Sequence, residues 1–292
     1  MKLHKKIESR IDDSIKYILF TDIDNLVVEA TFINKHDGKN IICLPTQTSC
    51  NMKCKFCHIT DISEEVVLRN LLAGEIVEIV KYIYDDLKLH SNKILLVSFM
   101  GCGEPLLNVE NLTKGIILLN NKYDKIRFAV STSIPIDRNN SFDNFVIAIK
   151  ENNIKLKLHF SLHYTNDKVR REWMPRTSTI KDSLNKIRYF KEETKNDIEI
   201  HYTLINGVND KDDDIQFLIN EFRKTDVCIK FIQYNIKSTI ESTCTSIEKV
   251  NEIMDILNKN NVKTEYYIPP ARDIGGSCGQ ILIDEYLEHN IK

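Results

Sequence analysis

The chain has no apolar run of membrane-spanning length. Its first residues, Met1-Lys2-Leu3-His4-Lys5-Lys6, do not lead into the apolar stretch of a secretory signal. No membrane partner is expected, and the cytoplasm is the expected compartment. Low-complexity segments and short internal repeats are also lacking, which argues against disordered tails and solenoids. Charge of one sign is scarce: 40 Lys and Arg face 42 Asp and Glu, a formal net charge of −2. An ordinary nucleic-acid binder shows a basic field instead, although a local patch is compatible with this balance. The remainder is globular in composition, 42% hydrophobic and 28% charged over 292 residues. That suits one barrel-sized α/β domain with a small extension.

Cysteine is not scarce. The eight cysteines cluster at one loop instead of spreading, so metal binding or catalysis is a better reading than a disulfide framework. Three stand in Cys50-Asn51-Met52-Lys53-Cys54-Lys55-Phe56-Cys57. Thiolates at such spacing hold zinc or an iron–sulfur cluster. A structural zinc needs a fourth ligand, and His58 is poorly placed because adjacent side chains rarely converge on one ion. Three thiolates on a four-iron cluster leave one iron open for a substrate or cofactor. A zinc site is kept as the minor alternative.

Around this loop the pattern alternates. Residues 14–48 read as a β-hairpin with a second turn at Asn34–Asn40, which contains His36-Asp37-Gly38. Residues 73–90 repeat apolar positions at helical spacing, and Lys93–Phe99 is a nearly continuous apolar run, as in a strand buried on both faces. Further strands are expected at 126–131, 154–162, 198–204, 227–234 and 262–267. Helices are expected near 109–121, 141–151, 179–195, 211–223 and 246–260. About six strand–helix units imply a parallel sheet with helices outside, short of a full eight-fold barrel. The expected architecture is α/β: a partial (β/α)6 barrel over 46–292, preceded by a β-hairpin extension over 1–45. In the strand at 154–162, Ser161 and His163 share one face at the C-terminal end, where barrels place their chemistry.

The stretch Cys50–Cys57 matches the radical S-adenosylmethionine (SAM) signature. Gly101-Cys102-Gly103-Glu104-Pro105, after a buried strand, resembles that superfamily's glycine-rich motif. Cys43, then Gly103–Asn108, Val130-Ser131-Thr132-Ser133, Phe160-Ser161-Leu162-His163, Asn206–Asp210 and Ser277-Cys278-Gly279-Gln280 follow in order. The succession resembles the RlmN/Cfr family of radical SAM enzymes, which methylate an adenine carbon in RNA.

The resemblance implies a [4Fe–4S] cluster on Cys50, Cys54 and Cys57. It places SAM along Gly103, Glu104, Ser131, Ser161, Leu162, His163 and Asn235. It makes Cys278 the cysteine that becomes methylated, Cys43 the second catalytic cysteine and Glu29 a proton acceptor. The methyl group would reach an sp2 carbon, carbon 2 or carbon 8 of adenine in rRNA or tRNA, from the Cys278 sulfur. Cys43 would remove the ring proton and end in a disulfide with Cys278. A monomer served by a reducing donor such as flavodoxin or ferredoxin is implied.

Glycines flanking Cys278 suit a loop that carries one sulfur between two partners. Few residues precede the hairpin, so the family's small helical N-terminal domain is not expected here. Lys168, Arg170, Arg171 and Arg176, and Lys2, Lys5, Lys6 and Arg10, are the candidate phosphate contacts, with a solvated surface as the plainer reading. The same chemistry on a small molecule, nucleotide or peptide is the second hypothesis, and a non-catalytic iron–sulfur or zinc binding protein the third. Cys228 is expected in the core, Cys244 in a loop and Trp173 in packing. His159 and His201 are expected as interior polar groups without a role.

Overall fold

Strand segments with one apolar face build the N-terminal part of the sheet. In the computed structural model, which describes residues 1–35, 38–90, 92–136 and 139–292, β1 (Lys2–Glu8), β2 (Ser14–Phe20), β3 (Val27–Lys35) and β4 (Lys39–Cys43) form an antiparallel meander. His36 and Asp37, part of the expected second turn, lie outside the described residues. From β4 the pairing turns parallel, through β5 (Ile94–Phe99), β6 (Ile126–Thr132), β7 (Leu156–Ser161), β8 (Asp197–Leu204), β9 (Cys228–Gln233) and β10 (Lys263–Tyr267). Among the described residues these make one sheet in chain order.

The helices are α1 (Ile59–Ile62), α2 (Ala73–Asp86), α3 (Val109–Lys122), α4 (Ser141–Glu151), α5 (Asp167–Trp173), α6 (Ile180–Thr194), α7 (Asp212–Phe222), α8 (Ile247–Lys259) and α9 (Ile283–His289). Their starts follow local chemistry. Thr179 Oγ1 accepts from Asp182 N before α6, Ser246 Oγ from Lys249 N before α8, and Asn166 Oδ1 from Lys168 N before α5. Asp212, Asp213 and Asp214 occupy the first turn of α7, where negative charge is favoured. None of the described helices is long and apolar enough to cross a membrane.

The expected partial barrel is present, and β10 is the strand expected at 262–267. The expected N-terminal hairpin is β2 with β3, and it continues the barrel's sheet: β3 pairs with β4, and β4 pairs in parallel with β5. β1 was not expected. Its residues are mostly exposed, so it carries no hydrophobic period and is held by backbone pairing to β2. The short helices α1, α5 and α9 were also not expected, because segments of four and seven residues give too few turns for a period.

The sheet has two unlike faces. Leu95, Val97 and Phe99 of β5, Phe128 and Val130 of β6, and Leu156, Leu158 and Phe160 of β7 pack with Ile76, Ile116, Phe145 and Phe190 of the helices into the main core. Each such side chain stabilises by roughly 1.5–3 kcal/mol on burial. The alternate residues, Ser98, Ala129, Lys157, His159, His201 and Lys230, line an interior cavity of about 1220 Å³. That face carries these polar side chains, and the chemistry sits there.

Candidate active site

The cysteine loop leaves β4 at its C-terminal end and is bound there by backbone contacts. Thr46 N donates to Cys102 O at 2.8 Å and Gly101 N to Leu44 O at 2.9 Å, joining the glycine-rich loop to the chain before the cysteines. Gly103 has φ of +102°, and a Cβ there would stand 2.8 Å from Thr46 Oγ1 and Gln47 Cβ. Only glycine fits so close an approach.

Four further groups pin the cysteine loop. Lys237, 4% exposed, sends Nζ to Lys55 O at 3.0 Å, Cys57 O at 3.3 Å and Asp61 Oδ1 at 2.8 Å. Lys55 N donates to Trp173 O at 2.9 Å, and Thr60 Oγ1 to Cys54 O at 2.7 Å. The Phe56 ring meets His163 edge-on, centroids 5.1 Å apart. Cys50 and Cys57 line the interior cavity; Cys54 packs with Phe56, Tyr164 and Trp173.

The residues expected along SAM ring the C-terminal ends of β5, β6, β7 and β9. Ser131 and Ser161 hydroxyls lie 3.3 Å apart. Glu104 is 4% exposed, and its carboxylate accepts from Thr132 Oγ1 at 2.6 Å, Ser133 Oγ at 2.9 Å, Ser133 N at 3.0 Å and Leu106 N at 3.2 Å. It therefore clamps the glycine-rich loop to β6. Burial raises its pKa, and these donors oppose the rise. His163 has φ of +52°, and its Nδ1 accepts from Thr203 N at 2.9 Å, so the ring is neutral with its proton on Nε2. Burial holds its pKa well below the usual value.

Arg170 was expected among surface phosphate contacts and is a correction. It is 1% exposed, with NH1 on Ser161 O and Leu162 O and NH2 on Ser133 O at 2.8 Å. A guanidinium spreads several donors in one plane and so joins the ends of β6 and β7. Burial lowers its pKa to about 10.

The Cys278 loop closes the cavity from the other side. Gly275 and Gly279 take φ of +62° and +75°, the left-handed shape expected of glycines beside Cys278. Asn235 Nδ2 donates to Cys278 O at 2.8 Å, and His58 N to Gly279 O at 2.8 Å, so the loop is tied both to β9's end and to the cysteine loop. Below it, Lys16 Nζ lies 2.6 Å from Glu29 Oε2 and 2.6 Å from Gly275 O; Glu29 Oε1 accepts from Leu282 N at 3.0 Å. Cys43 and Cys278 line the same cavity. Burial pushes the Cys43 thiol up to about 12, with Cys278 adding to the rise and Lys16 opposing it.

Other expectations divide. Trp173 packs with Tyr164 and Met174, and Cys244 donates from its loop to Tyr234 O at 3.0 Å. His159 and His201 are buried in the barrel interior. Cys228 is half-buried at the start of β9 and not a core residue. Cys102 joins Cys50 and Cys57 in a small cluster with Ile59 and Tyr286. Lys16 and Lys237 were missed. A lone lysine in the apolar run Ile15-Lys16-Tyr17-Ile18-Leu19 was the available signal for the first; nothing local marks the second.

The residues present fit the implied groups. Three thiols from one loop suit an iron–sulfur cluster with one open iron. The buried Asn235 Oδ1 has no hydrogen-bond partner, leaving an acceptor for a ligand donor, and the cavity is large enough for a SAM-sized molecule.

Comparison with known proteins agrees. The model of the radical SAM superfamily matches residues 44–219. A probable dual-specificity RNA methyltransferase RlmN of Finegoldia magna is 30% identical over 99% of this chain and 80% of its own length. One of Thermotoga maritima is 32% identical over 96% of this chain and 79% of its own. The crystal structure of a radical SAM methyltransferase from Sphaerobacter thermophilus covers 96% of this chain and 80% of its own, with a TM-score of 0.80 at 24% identity, which speaks to the fold. Superfamily members use a [4Fe–4S] cluster and SAM, and the thiol loop and cavity are built for both. The chain belongs to the radical SAM superfamily and, within it, to the RlmN/Cfr family of methyltransferases.

Proposed function

We propose that this enzyme methylates an sp2 carbon, carbon 2 or carbon 8 of adenine in rRNA or tRNA, through a methyl group carried on Cys278. One observation supports this above the rest: Cys43 and Cys278 line the same cavity as the cluster cysteines Cys50 and Cys57. RNA enters the proposal from the relatives, which are named as RNA methyltransferases. When bound, the cluster and SAM supply the methyl group and the one-electron chemistry that an unreactive ring carbon requires.

The protein's own residues do the rest. The Cys278 sulfur, as thiolate, takes up a methyl group by displacement, since sulfur is the stronger nucleophile and the ring carbon is not one. Asn235, through the Cys278 carbonyl, and Lys16, through Gly275, hold the loop during that step. Once the methyl carbon is bonded to the ring, Cys43 accepts the ring proton as general base. Cys43 then gives that proton to the methyl carbon, and its sulfur bonds to that of Cys278 as the bond between Cys278 and the product breaks, leaving a disulfide. Glu29, paired with Lys16, is the proton acceptor implied by resemblance. Reduced flavodoxin or ferredoxin is the donor, and the enzyme works as a monomer.

The test is a peptide mass spectrum across Cys278 after anaerobic expression with iron supplied. A methyl group on the sulfur is expected; an unmodified Cys278 in cluster-bearing protein would sink the relay.

A second reading keeps the chemistry and replaces RNA by a small molecule, nucleotide or peptide. It is favoured by the fate of the candidate phosphate contacts. Arg170 is buried, Lys5 pairs with Glu285, and Lys6 pairs with Asp86. RNA binding that weakens steeply with salt supports the first reading; its absence supports the second.

A further inference from the structure

The interior cavity has a second end. Its walls run from Cys43, Cys50 and Cys278 to Lys39, Arg127 and Lys155 at the N-terminal ends of β4, β6 and β7. Along the inward face of β7 the exposure falls from Lys155 and Lys157, both exposed, to buried His159. The barrel is thus open at the end away from the cysteines. Acidic groups on that rim are paired: Glu193 with Lys150 at 2.7 Å, Asp197 with Lys191 at 3.3 Å and Glu265 with Lys230 at 3.7 Å. Arg127, Lys155 and Lys195 therefore make a basic mouth on a chain whose net charge is −2. A charged rim around a concave site draws in ligands of opposite sign.

Just inside lies a buried polar cluster. Glu199, 3% exposed, receives Lys230 Nζ at 2.8 Å, His201 Nε2 at 3.1 Å and Lys157 Nζ at 3.2 Å. His159, 7% exposed, faces the cavity, and its Nδ1 has no hydrogen-bond partner. His159, Glu199 and His201 have ligand atoms within 4.8 Å of one another, a spacing that a divalent metal accepts. The lysines decide against a cation. The carboxylate is already met by two ammonium groups and an imidazole, so an added metal would stand beside two positive charges. The outward sides of Lys157 and Lys230 present donors to the cavity instead.

We propose that this end of the barrel is a binding site for the phosphate group of a small molecule of nucleotide size. Lys157 and Lys230 hold the phosphate, beside the buried His159, and the basic mouth admits it. The cavity of about 1220 Å³ accommodates a mononucleotide in addition to the space near the cysteines. The site is independent of the methyl-transfer reading, because its test reads binding alone.

The experiment is anaerobic titration calorimetry on the cluster-loaded protein with AMP and, separately, inorganic phosphate. Lys157→Met, Arg127→Met and His159→Gln are the variants, with SAM affinity as the control for folding. One-to-one binding of at least one probe is expected. It should weaken as KCl is raised and weaken about tenfold in Lys157→Met, the scale of one charge-assisted hydrogen bond. AMP binding much tighter than phosphate would identify a nucleotide-sized ligand. Equal affinities would identify a free-phosphate site and overturn the nucleotide assignment. Absence of binding by both probes, or binding unchanged in all three variants, overturns the site itself.

Discussion

Lys16 and Glu29 form an ion pair of 2.6 Å that holds both ends of the loop carrying Cys278. Lys16 reaches Gly275 O before the cysteine, and Glu29 accepts Leu282 N after it. Register explains the pair: Lys16 stands opposite Thr31 and Ile18 opposite Glu29, so the two charged residues are diagonal neighbours on one face of β2 and β3. Lys16→Met leaves a buried carboxylate without its partner and should cost roughly 3–5 kcal/mol. Lys16→Met with Glu29→Gln should recover part of that loss in urea denaturation. Equal loss in both variants would show that the charge pair is not what holds the loop.

Asn235 is the loop's other anchor. Asn235→Ala removes the hydrogen bond to Cys278 O, worth roughly 1 kcal/mol. Global stability should change little, while the fraction of Cys278 found methylated by mass spectrometry should fall severalfold. A wild-type fraction would mean that the tether has no part in positioning the sulfur.

Alanine at Cys50, Cys54 or Cys57 should abolish cluster binding, measured as iron and sulfide content and visible absorbance. Cys278→Ala and Cys43→Ala should retain the cluster and lose product formation. Cys43→Ala should in addition accumulate protein bonded to substrate through Cys278, visible as a mass increase. A variant at either position that turns over normally would exclude the relay.

Arg170→Met removes donors from two buried carbonyls and a part-buried one and should destabilise by roughly 3 kcal/mol. Arg170→Lys should rescue only part, because a single ammonium cannot reach all three acceptors in one plane. Thermal unfolding of the two variants checks this, and full rescue by lysine would contradict it.

Acid should weaken the barrel interior through Glu199. Burial alone raises its pKa, but His201, His159 and Lys230 outweigh burial and hold the carboxyl far below its ordinary range. The unfolded chain then binds the proton more readily than the folded one. The stabilisation is full above the ordinary carboxylate range and is lost as pH falls toward the depressed value. The stability difference between wild type and Glu199→Gln should shrink as pH drops from 7 to 3. A difference independent of pH would show that Glu199 is not charged in the fold.

The chemistry-bearing motifs were legible because each is local. Cys50, Cys54 and Cys57 lie in one loop, and the glycines around Cys278 declare a special backbone in a single short stretch. The strand–helix alternation was equally legible, since helices and buried strands of ordinary length write their periods into the chain. β1 and α5 were not, because an exposed edge strand and a seven-residue helix carry too little period. Tertiary structure alone decided which distant charges meet. Gly275 lies 259 residues from Lys16, and only the sheet register and the return of the C-terminal loop bring them to 2.6 Å. It also decided that Arg170 lies inside, where backbone carbonyls at two strand ends need its donors, and that alternate polar residues of β7, β8 and β9 converge. A sequence can mark residues as polar and alternating; only the curvature of the sheet puts them around one cavity.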